Sequence, residues 1–292
     1  MSLYRKLRDI LRETYAEGEA SAICFMLFEE ICSLSRTDVL MGRDDELDDE
    51  KTILLEKFTK RIAEGEPVQY VIGHTSFCGL KINVKPGVLI PRPETEELVE
   101  WIQEEYSNIP ANRITSPVTP SHILDIGSGS GCIALALASS VSNANVDAWD
   151  ISDKALEIAK ENAATLGIKV TFIKRDALDS HLLEEEKGAY STIVSNPPYI
   201  CESERKDMEK NVLEHEPETA LFVPDTDPLL FYREITTKAT HLLANGGTLY
   251  FETNRMYAKE VSDMMLKKGF SQVEIRKDFM GNERMVKGTF QH

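Results

Sequence analysis

A short segment with two consecutive prolines, Ser195 to Ile200 (Ser-Asn-Pro-Pro-Tyr-Ile), carries the residue types best suited to chemistry in this sequence. The apolar pair Ile193-Val194 before it predicts a buried strand, which puts the segment at the carboxyl edge of a sheet, where open α/β folds bind ligands. Proline has no amide hydrogen and a fixed φ, so two in a row make a rigid bend with carbonyl groups in fixed directions. We therefore predict a binding bend here, with an ordinary turn as the alternative.

Two acceptors in this bend, the side-chain oxygen of Asn196 and the backbone oxygen of Pro197, match the two N–H bonds of a planar NH2 group, and Tyr199 adds a flat apolar face. Such a nitrogen is a poor nucleophile because its lone pair is delocalised. Orientation towards an electrophile then matters more than a strong base, and it can supply about 7–11 kcal/mol. We predict that Asn196, Pro197 and Tyr199 are catalytic and that, with Pro198, they bind the substrate.

A glycine-rich turn follows another apolar run, Ile123–Ile126, in which Asp125 is the only charged residue. Glycine lets a backbone turn tightly and approach a ligand closely. The GxGxG spacing is not the dinucleotide GxGxxG, and the Lys-Ser/Thr of a phosphate-binding loop is missing. Alone, the turn is weak evidence for any one cofactor, and a tight turn without a ligand is the alternative. The predicted cofactor-binding residues of this turn are Gly127, Ser128, Gly129, Ser130 and Gly131.

Two aspartates, Asp150 and Asp176, come at or near the ends of the next two predicted strands. A carboxylate at the first of these positions can accept hydrogen bonds from both ribose hydroxyls of an adenosine ligand. The second is placed to accept from an adenine amino group. Both could instead be helix caps or solvated loop residues, but we predict that both bind the adenosine part of a cofactor.

The elements that must position these residues alternate between strand and helix from residue 122 onwards, which predicts a mostly parallel sheet with helices on both faces. Val273–Lys277 and Met285–Phe290 flank Gly281-Asn282 and predict a terminal antiparallel pair, and Gly246-Gly247 predicts a turn. The other predicted strands are Ile123–Ile126, Val146–Trp149, Val170–Lys174, Thr192–Ser195 and Thr248–Glu252, and the predicted helices are Cys132–Ser139, Lys154–Leu166, Pro228–Leu243 and Met256–Lys268.

The first 75 residues predict a small helical domain, because apolar residues recur there at helical spacing. Residues 76–93 predict a β-hairpin linker, with Gly79 and Pro86-Gly87 as turn signals. Residues 94–292 form the predicted larger domain, whose first helix starts at the prolines and has Leu98, Trp101 and Ile102 on one face, and residues 107–121 predict a loop. The three stripes of the helical domain are Leu3, Leu7, Ile10, Leu11 and Tyr15; Ile23, Leu27 and Ile31; and Leu47, Leu54, Phe58 and Ile62.

Composition narrows the classes of function. The formal charge is -16, from 49 acidic and 33 basic residues, and such a field repels phosphate backbones, which disfavours a nucleic-acid substrate. The five scattered cysteines show neither a CxxC pair nor zinc-ligand spacing, so we expect reduced thiols and no metal. The charged N-terminus and the lack of a long apolar run predict a cytoplasmic chain without a membrane span.

With these motifs, the chain resembles the HemK-type release-factor glutamine methyltransferases over nearly its full length. The Pro-Arg-Pro-Glu-Thr-Glu run together with Asn-Pro-Pro-Tyr is far more specific than either alone. The resemblance implies a helical N-terminal domain that docks the release factor, before a Rossmann-like class I methyltransferase domain with a seven-stranded sheet and an antiparallel last strand. The matching stretches are Glu66 to Tyr70, Leu89 to Glu96, Asp125 to Leu137, Ser195 to Ile200 and Phe231 to Arg233.

The resemblance also implies the reaction: methyl transfer from S-adenosylmethionine to N5 of the glutamine in a Gly-Gly-Gln loop. By the same implication Gly127 to Gly131, Asp150 and Asn196 bind the cofactor, and Asn196 to Tyr199 hold the glutamine. Some relatives carry an aromatic residue beside the adenine just after the third-strand aspartate. Here that place falls on Ala177, which we include in the cofactor site although adenine stacking then has to come from elsewhere.

Three alternatives remain open. A DNA adenine-N6 methyltransferase would present the same NH2 to the same acceptors, although the charge and the lack of a visible target-recognition domain disfavour it. Only the family resemblance separates a ribosomal-protein glutamine methyltransferase from a release-factor glutamine methyltransferase. A non-catalytic docking module would have no use for the Asn-Pro-Pro-Tyr bend. The expected partner is a class I peptide chain release factor, with no direct nucleic-acid or membrane partner, and we expect a monomer.

Overall fold

A computed structural model describes residues 2–108, 121–182 and 184–291. These form two compact units, Met1–His74 with Met208–His215, and Thr75–Asp207 with Glu216–His292. The assignment of residues 208–215 to the first unit was not predicted from the sequence. Most of the predicted loop at 107–121 lies outside the described residues. Among the helices of the described ranges, none combines the length and the apolar composition that crossing a membrane requires.

The first unit is helical. Its core is made by side chains from several helices, among them Leu7, Leu27, Phe28, Leu55 and Ile62, which are all fully buried. The helix that starts at Asp49 is capped by Asp48, whose carboxylate accepts a hydrogen bond from the backbone N–H of Lys51 at 2.8 Å. The helices are α1 (Leu3–Leu11), α2 (Glu17–Cys32), α3 (Arg36–Leu40), α4 (Asp49–Ala63), α5 (Val68–Ile72) and, later in the chain, α9 (Lys210–His215).

Part of the predicted apolar pattern of this unit is wrong. In α4 the buried leucine is Leu55, whereas the predicted Leu54 is 36% exposed. The helix packs against both α1 and α2, and the 3.6-residue repeat then turns Leu55, Thr59 and Ile62 to the inside. Ile10 of α1 is likewise 37% exposed. Of the other predicted stripe residues, Leu7, Leu11, Ile23 and Leu27 are buried.

Strands β1 (His74–Phe77) and β2 (Leu80–Asn83) form a two-stranded sheet. The two residues between them, Cys78 and Gly79, have φ of 46° and 75°, as a tight hairpin turn requires. The predicted hairpin therefore exists but ends at Asn83. Pro86-Gly87 do form a turn, but no strand follows within the fully described stretch 84–92. Helix α6 (Pro93–Ser107) comes next, and the predicted apolar face of Leu98, Trp101 and Ile102 is buried.

A seven-stranded sheet organises the second unit, in the order β10-β11-β9-β6-β3-β4-β5. Strands β5, β4, β3, β6 and β9 are parallel neighbours, while β11 pairs antiparallel with both β9 and β10. This confirms the predicted mostly parallel sheet with an antiparallel last strand. The strands are β3 (Ser121–Ile126), β4 (Ala144–Asp150), β5 (Thr171–Lys174), β6 (Tyr190–Ser195), β9 (Leu243–Glu252), β10 (Phe270–Lys277) and β11 (Glu283–Phe290).

The connecting helices and one irregularity complete the unit. The prediction that Gly246 and Gly247 form a turn before a strand is wrong, because both residues lie inside β9. The register between β9 and β6 is interrupted there, between the pairs Tyr190↔Leu243 and Thr192↔Thr248. Glycine fits there because a Cβ on Gly247 would lie 2.9 Å from the backbone oxygen of Ala244. The remaining elements are α7 (Cys132–Ser140), α8 (Asp153–Leu166), α10 (Leu230–Leu242), α11 (Ala258–Lys267) and the short parallel pair β7 (Ile200–Cys201) and β8 (Phe222–Val223).

Strand register decides where the site lies. Ile126 of β3 is level with both Trp149 of β4 and Ser195 of β6, and Ser195 is level with Phe251 of β9. The residues directly after these four paired positions are therefore neighbours along one edge of the sheet. They are Gly127, Asp150, Asn196 and Glu252.

Candidate active site

A cavity of about 410 Å³ lies at this carboxyl edge, a volume within the range of small-molecule sites. Residues that follow four different strands line it, so one cavity is bordered by the glycine-rich turn, both aspartates and the proline bend. The predicted site residues in its wall are Gly127, Gly129, Asp150, Asp176, Ala177, Asn196, Pro197 and Pro198.

Four predicted site residues are not in the cavity wall. Ser128 and Ser130 are buried. Gly131 precedes α7 with a φ of 81°, and a Cβ there would lie 3.0 Å from the Cβ of Ala159, so its glycine serves helix packing. Tyr199 is half-buried and turns its hydroxyl to Glu252. Ligand contacts of these four residues stay predictions.

The glycine-rich turn is tied to the neighbouring strand. The backbone N–H groups of Gly127 and Ser128 both donate to the carbonyl oxygen of Trp149 at 2.9 Å. The N–H of Gly129 donates to Oδ2 of Asp150 at 2.8 Å. Because Gly127 and Gly129 both have positive φ, 82° and 55°, the backbone can follow this path without a Cβ clash. The turn and the strand-end carboxylate therefore form one rigid wall of the cavity.

Asp150 can still accept ligand hydrogen bonds. Its Oδ1 accepts from the N–H of Ser152 at 2.9 Å and its Oδ2 from that of Gly129. Each carboxylate oxygen has two lone pairs, so each can accept one more donor, such as a ribose hydroxyl. Burial raises the pKa of Asp150, while the backbone donors Ser152 and Gly129 oppose the rise.

The adenine end of the predicted site is less well defined. Oδ1 of Asp176 accepts from the N–H of Leu178 at 2.8 Å, which is the local turn-capping role that the sequence left open. Ala177 lines the cavity beside it. Ile151, which the sequence analysis missed, also lines the cavity and is 55% exposed. An exposed apolar side chain at this place suits contact with a flat ring. The signal in the sequence was an apolar residue directly after a strand-end aspartate.

The proline bend is held on both sides by hydrogen bonds. Oγ of Ser195 donates to the carbonyl oxygen of Ile126 at 2.6 Å. The side-chain Nδ2 of Asn196 donates to Oγ1 of Thr95 at 3.1 Å. The backbone oxygen of Tyr199 accepts from Nδ2 of Asn254 at 3.3 Å. The bend is thus rigid through its contacts as well as through its prolines.

Behind the bend lie two residues that the sequence analysis left without a role. The hydroxyl of Thr95 donates to Oε2 of Glu252 at 2.6 Å, and the hydroxyl of Tyr199 donates to Oε1 at 3.2 Å. Both Thr95 and Glu252 are buried. Burial raises the pKa of Glu252, and the hydroxyl donors and Arg284 oppose that rise. Thr95 sits within the Pro-Arg-Pro-Glu-Thr-Glu run and Glu252 ends a predicted strand, which were the available signals.

A partly buried ion pair fixes the start of the same run. Nη2 of Arg92 donates to Oε1 of Glu216 at 2.7 Å, and the backbone N–H of Ile90 donates to Oε2 at 3.2 Å. The Glu216 side chain is only 1% exposed. The next residue, Pro217, lines the cavity. The run before α6 is therefore anchored beside the site.

Comparison with known proteins places the chain in a family. Residues 2–73 match the PrmC N-terminal domain and residues 107–219 the Methyltransferase small domain. A release factor glutamine methyltransferase of Flavobacterium psychrophilum is 43% identical over 280 residues, covering 96% of this chain and 95% of that protein. One of Bacteroides thetaiotaomicron is 42% identical, with 96% of each chain covered.

Solved structures agree on the fold. The hMettl16 catalytic domain, solved with a 3′UTR hairpin, has a TM-score of 0.55 at 14% identity and covers 84% of this chain and 82% of its own. A T. thermophilus 16S rRNA methyltransferase with AdoMet and guanosine has a TM-score of 0.51 at 17% identity, covering 75% and 50%. The match to the Methyltransferase small domain and the relatives identify a methyltransferase, and the seven-stranded sheet has the order of the class I methyltransferase fold. Within that class, the chain belongs to the family of release factor glutamine methyltransferases, as its motifs predicted.

Proposed function

We propose that this chain transfers a methyl group from S-adenosylmethionine to N5 of the glutamine in the Gly-Gly-Gln motif of class I peptide chain release factors. The observation that carries the proposal is that Asn196 and Pro197 share one cavity wall with Gly127, Gly129 and Asp150. The two residues proposed to bind the amide and the three proposed to bind the cofactor thus border the same space. The named activity of relatives with over 90% coverage supports the same reaction.

The cofactor fits the residues of the cavity by their chemistry. Asp150 keeps acceptor capacity for ribose hydroxyls, and the backbone at Gly127 and Gly129 has no Cβ to keep a ligand away. Ile151, Asp176 and Ala177 would border the adenine. When bound, S-adenosylmethionine supplies an electrophilic methyl group. The chain itself contributes binding and orientation.

Asn196 and Pro197 would orient the substrate. Oδ1 of Asn196 and the carbonyl oxygen of Pro197 each accept one N–H of the glutamine amide, which directs the face of the nitrogen towards the methyl carbon. S-adenosylmethionine held by Asp150 and the glycine-rich turn would supply the methyl group, and the amide nitrogen would lose one proton to water. No strong base is needed because a methylated amide cation is very acidic. Catalysis is therefore mainly proximity and orientation.

The first unit would dock the release factor. This role rests on the match of residues 2–73 to the PrmC N-terminal domain and on the names of the relatives. Met208–His215, which packs with that unit, is a candidate part of the same docking surface. Tyr199 would provide an apolar face beside the glutamine.

Label transfer tests the proposed function. The purified protein is incubated with methyl-labelled S-adenosylmethionine and, separately, with a class I release factor, its Gly-Gly-Gln→Gly-Gly-Ala variant, ribosomal proteins and duplex DNA. We expect label on the unchanged release factor alone. Label on DNA or on a ribosomal protein would overturn the substrate and keep methyl transfer, and no label on any of them would contradict the activity.

A further inference from the structure

Behind the cavity wall, three side chains form one chain of hydrogen bonds. Asn196 donates to Thr95, and Thr95 donates to Glu252. Thr95 and Glu252 do not line the cavity, and both are buried, at 3% and 1% exposure. They cannot reach a substrate themselves, so any effect of Thr95 on the reaction must pass through Asn196, and any effect of Glu252 must pass through Thr95 or Tyr199.

The direction of these hydrogen bonds follows from Glu252. Its two oxygens accept the hydroxyl groups of Thr95 and Tyr199. Burial raises the pKa of Glu252, and these two donors together with Arg284 oppose the rise. The Thr95–Glu252 distance of 2.6 Å lies in the range of about 2.5–2.7 Å for a hydroxyl bound to a carboxylate ion. A carboxylate ion only accepts, so Thr95 must donate its single hydrogen to Glu252.

That direction decides which way the amide of Asn196 faces. With its hydrogen used, Oγ1 of Thr95 can only accept, and of the two amide atoms of Asn196 only Nδ2 can donate to it. Oδ1 then points away from Thr95. Without this restraint the amide could rotate and offer its own NH2 to the substrate NH2, which would set donor against donor.

We propose that Thr95 and Glu252 are positioning residues that fix the amide of Asn196 so that Oδ1, and not Nδ2, is offered to the substrate NH2. The inference rests on the proposed function. It also accounts for a costly arrangement, because burying a carboxylate is unfavourable unless its hydrogen bonds are satisfied. Since Glu252 also accepts from Tyr199, one carboxylate restrains both ends of the proline bend.

Thr95→Val is the sharpest test, because it keeps the shape and removes the hydroxyl. We expect kcat on the release factor to fall about 10- to 100-fold, as misplaced groups cause in oriented sites, while the KM for the factor and the Kd for S-adenosylmethionine change less than about twofold. Thr95→Ser keeps the hydroxyl and is expected to restore turnover. The matched control is Thr192→Val, which removes another buried threonine hydroxyl, the one bound to Tyr106 at 2.7 Å, outside the cavity wall.

Glu252→Gln keeps the shape of the side chain and tests the direction of the hydrogen bonds between Asn196, Thr95 and Glu252. It also tests the positioning proposal if Thr95→Val does not fold. Its amide can donate to Thr95, so we expect a fall in kcat with cofactor affinity retained. Wild-type turnover in Glu252→Gln, or in folded Thr95→Val, overturns the positioning proposal. Failure of the wild type to label the release factor instead contradicts the proposed function.

A measurement without substrate further separates the positioning proposal from the proposed function. The side-chain NH2 resonances of Asn196, assigned from their loss in Asn196→Ala, should exchange slowly with water in the wild type and in Thr95→Ser. They should exchange fast in Thr95→Val. Equal exchange rates in the wild type and Thr95→Val would show that Thr95 does not hold the amide, whatever the substrate is.

Discussion

Asp150 accepts the backbone N–H of Gly129 at 2.8 Å, and this hydrogen bond joins the end of β4 to the glycine-rich turn after β3. The carboxylate therefore both shapes the turn and faces the cavity. The glycine-rich turn and Asp150, which were predicted separately as cofactor-binding features, are connected by this hydrogen bond. Loss of the carboxylate is therefore expected to affect both.

Asp150→Ala is accordingly expected to weaken S-adenosylmethionine binding by roughly 1–3 kcal/mol, the usual cost of a lost charged hydrogen-bonding partner. Titration calorimetry measures it directly. Asp153→Ala is the matched control, because it removes the nearby carboxylate at the first residue of α8, which is 77% exposed and paired with Lys174. An unchanged affinity in Asp150→Ala would remove Asp150 from the site.

Asn196→Ala should separate binding from chemistry. We expect most turnover to be lost because one of the two amide acceptors is missing, while S-adenosylmethionine still binds because Asp150 and the glycine-rich turn remain. Single-turnover rates at saturating cofactor, with calorimetry in parallel, test both parts. If turnover survives, the orientation argument is wrong.

Asp125 makes stability depend on pH. Burial raises its pKa from 3.8 to about 7. Between these values the folded chain holds a proton that the unfolded chain has released, so stability falls as the pH rises through this window. We expect the Tm of Asp125→Asn, minus that of the wild type, to grow between about pH 4 and about pH 7 and to level off above. A difference that stays constant across this range would contradict the raised pKa.

Glu216→Ala should destabilise the protein. It leaves the guanidinium of Arg92 and the N–H of Ile90 without their carboxylate acceptor, and we expect a loss of about 1–3 kcal/mol in the free energy of unfolding. Urea titration measures the loss. Glu104→Ala, which breaks an exposed ion pair with Arg276, should cost less than about 1 kcal/mol. Equal effects would mean that the Arg92–Glu216 pair is no stronger than a surface pair.

The strand ends were predictable from sequence because their signals are local. Apolar runs that stop at Gly127, Asp150 and Asn196 mark where β3, β4 and β6 end, and the carboxyl-edge rule then brings these residues together. The observed sheet confirms the predicted ends of these three strands.

The positioning of Asn196 was not predictable in the same way. Thr95 and Glu252 are 157 positions apart, and their contact depends on how α6 packs against β9. Leu54 and Leu55 show the same limit within one helix. Both fit an apolar stripe, and only the packing against α1 and α2 selects Leu55.

The most direct test of the account is to locate the transferred methyl group. Release factor treated with the wild-type protein and S-adenosylmethionine is digested and sequenced by tandem mass spectrometry. We predict a mass gain of one CH2 unit on the glutamine of Gly-Gly-Gln, because a methyl group replaces a hydrogen, and release of methylamine, from N5, on acid hydrolysis. A methyl group on any other residue, or on the backbone of that glutamine, would contradict the account.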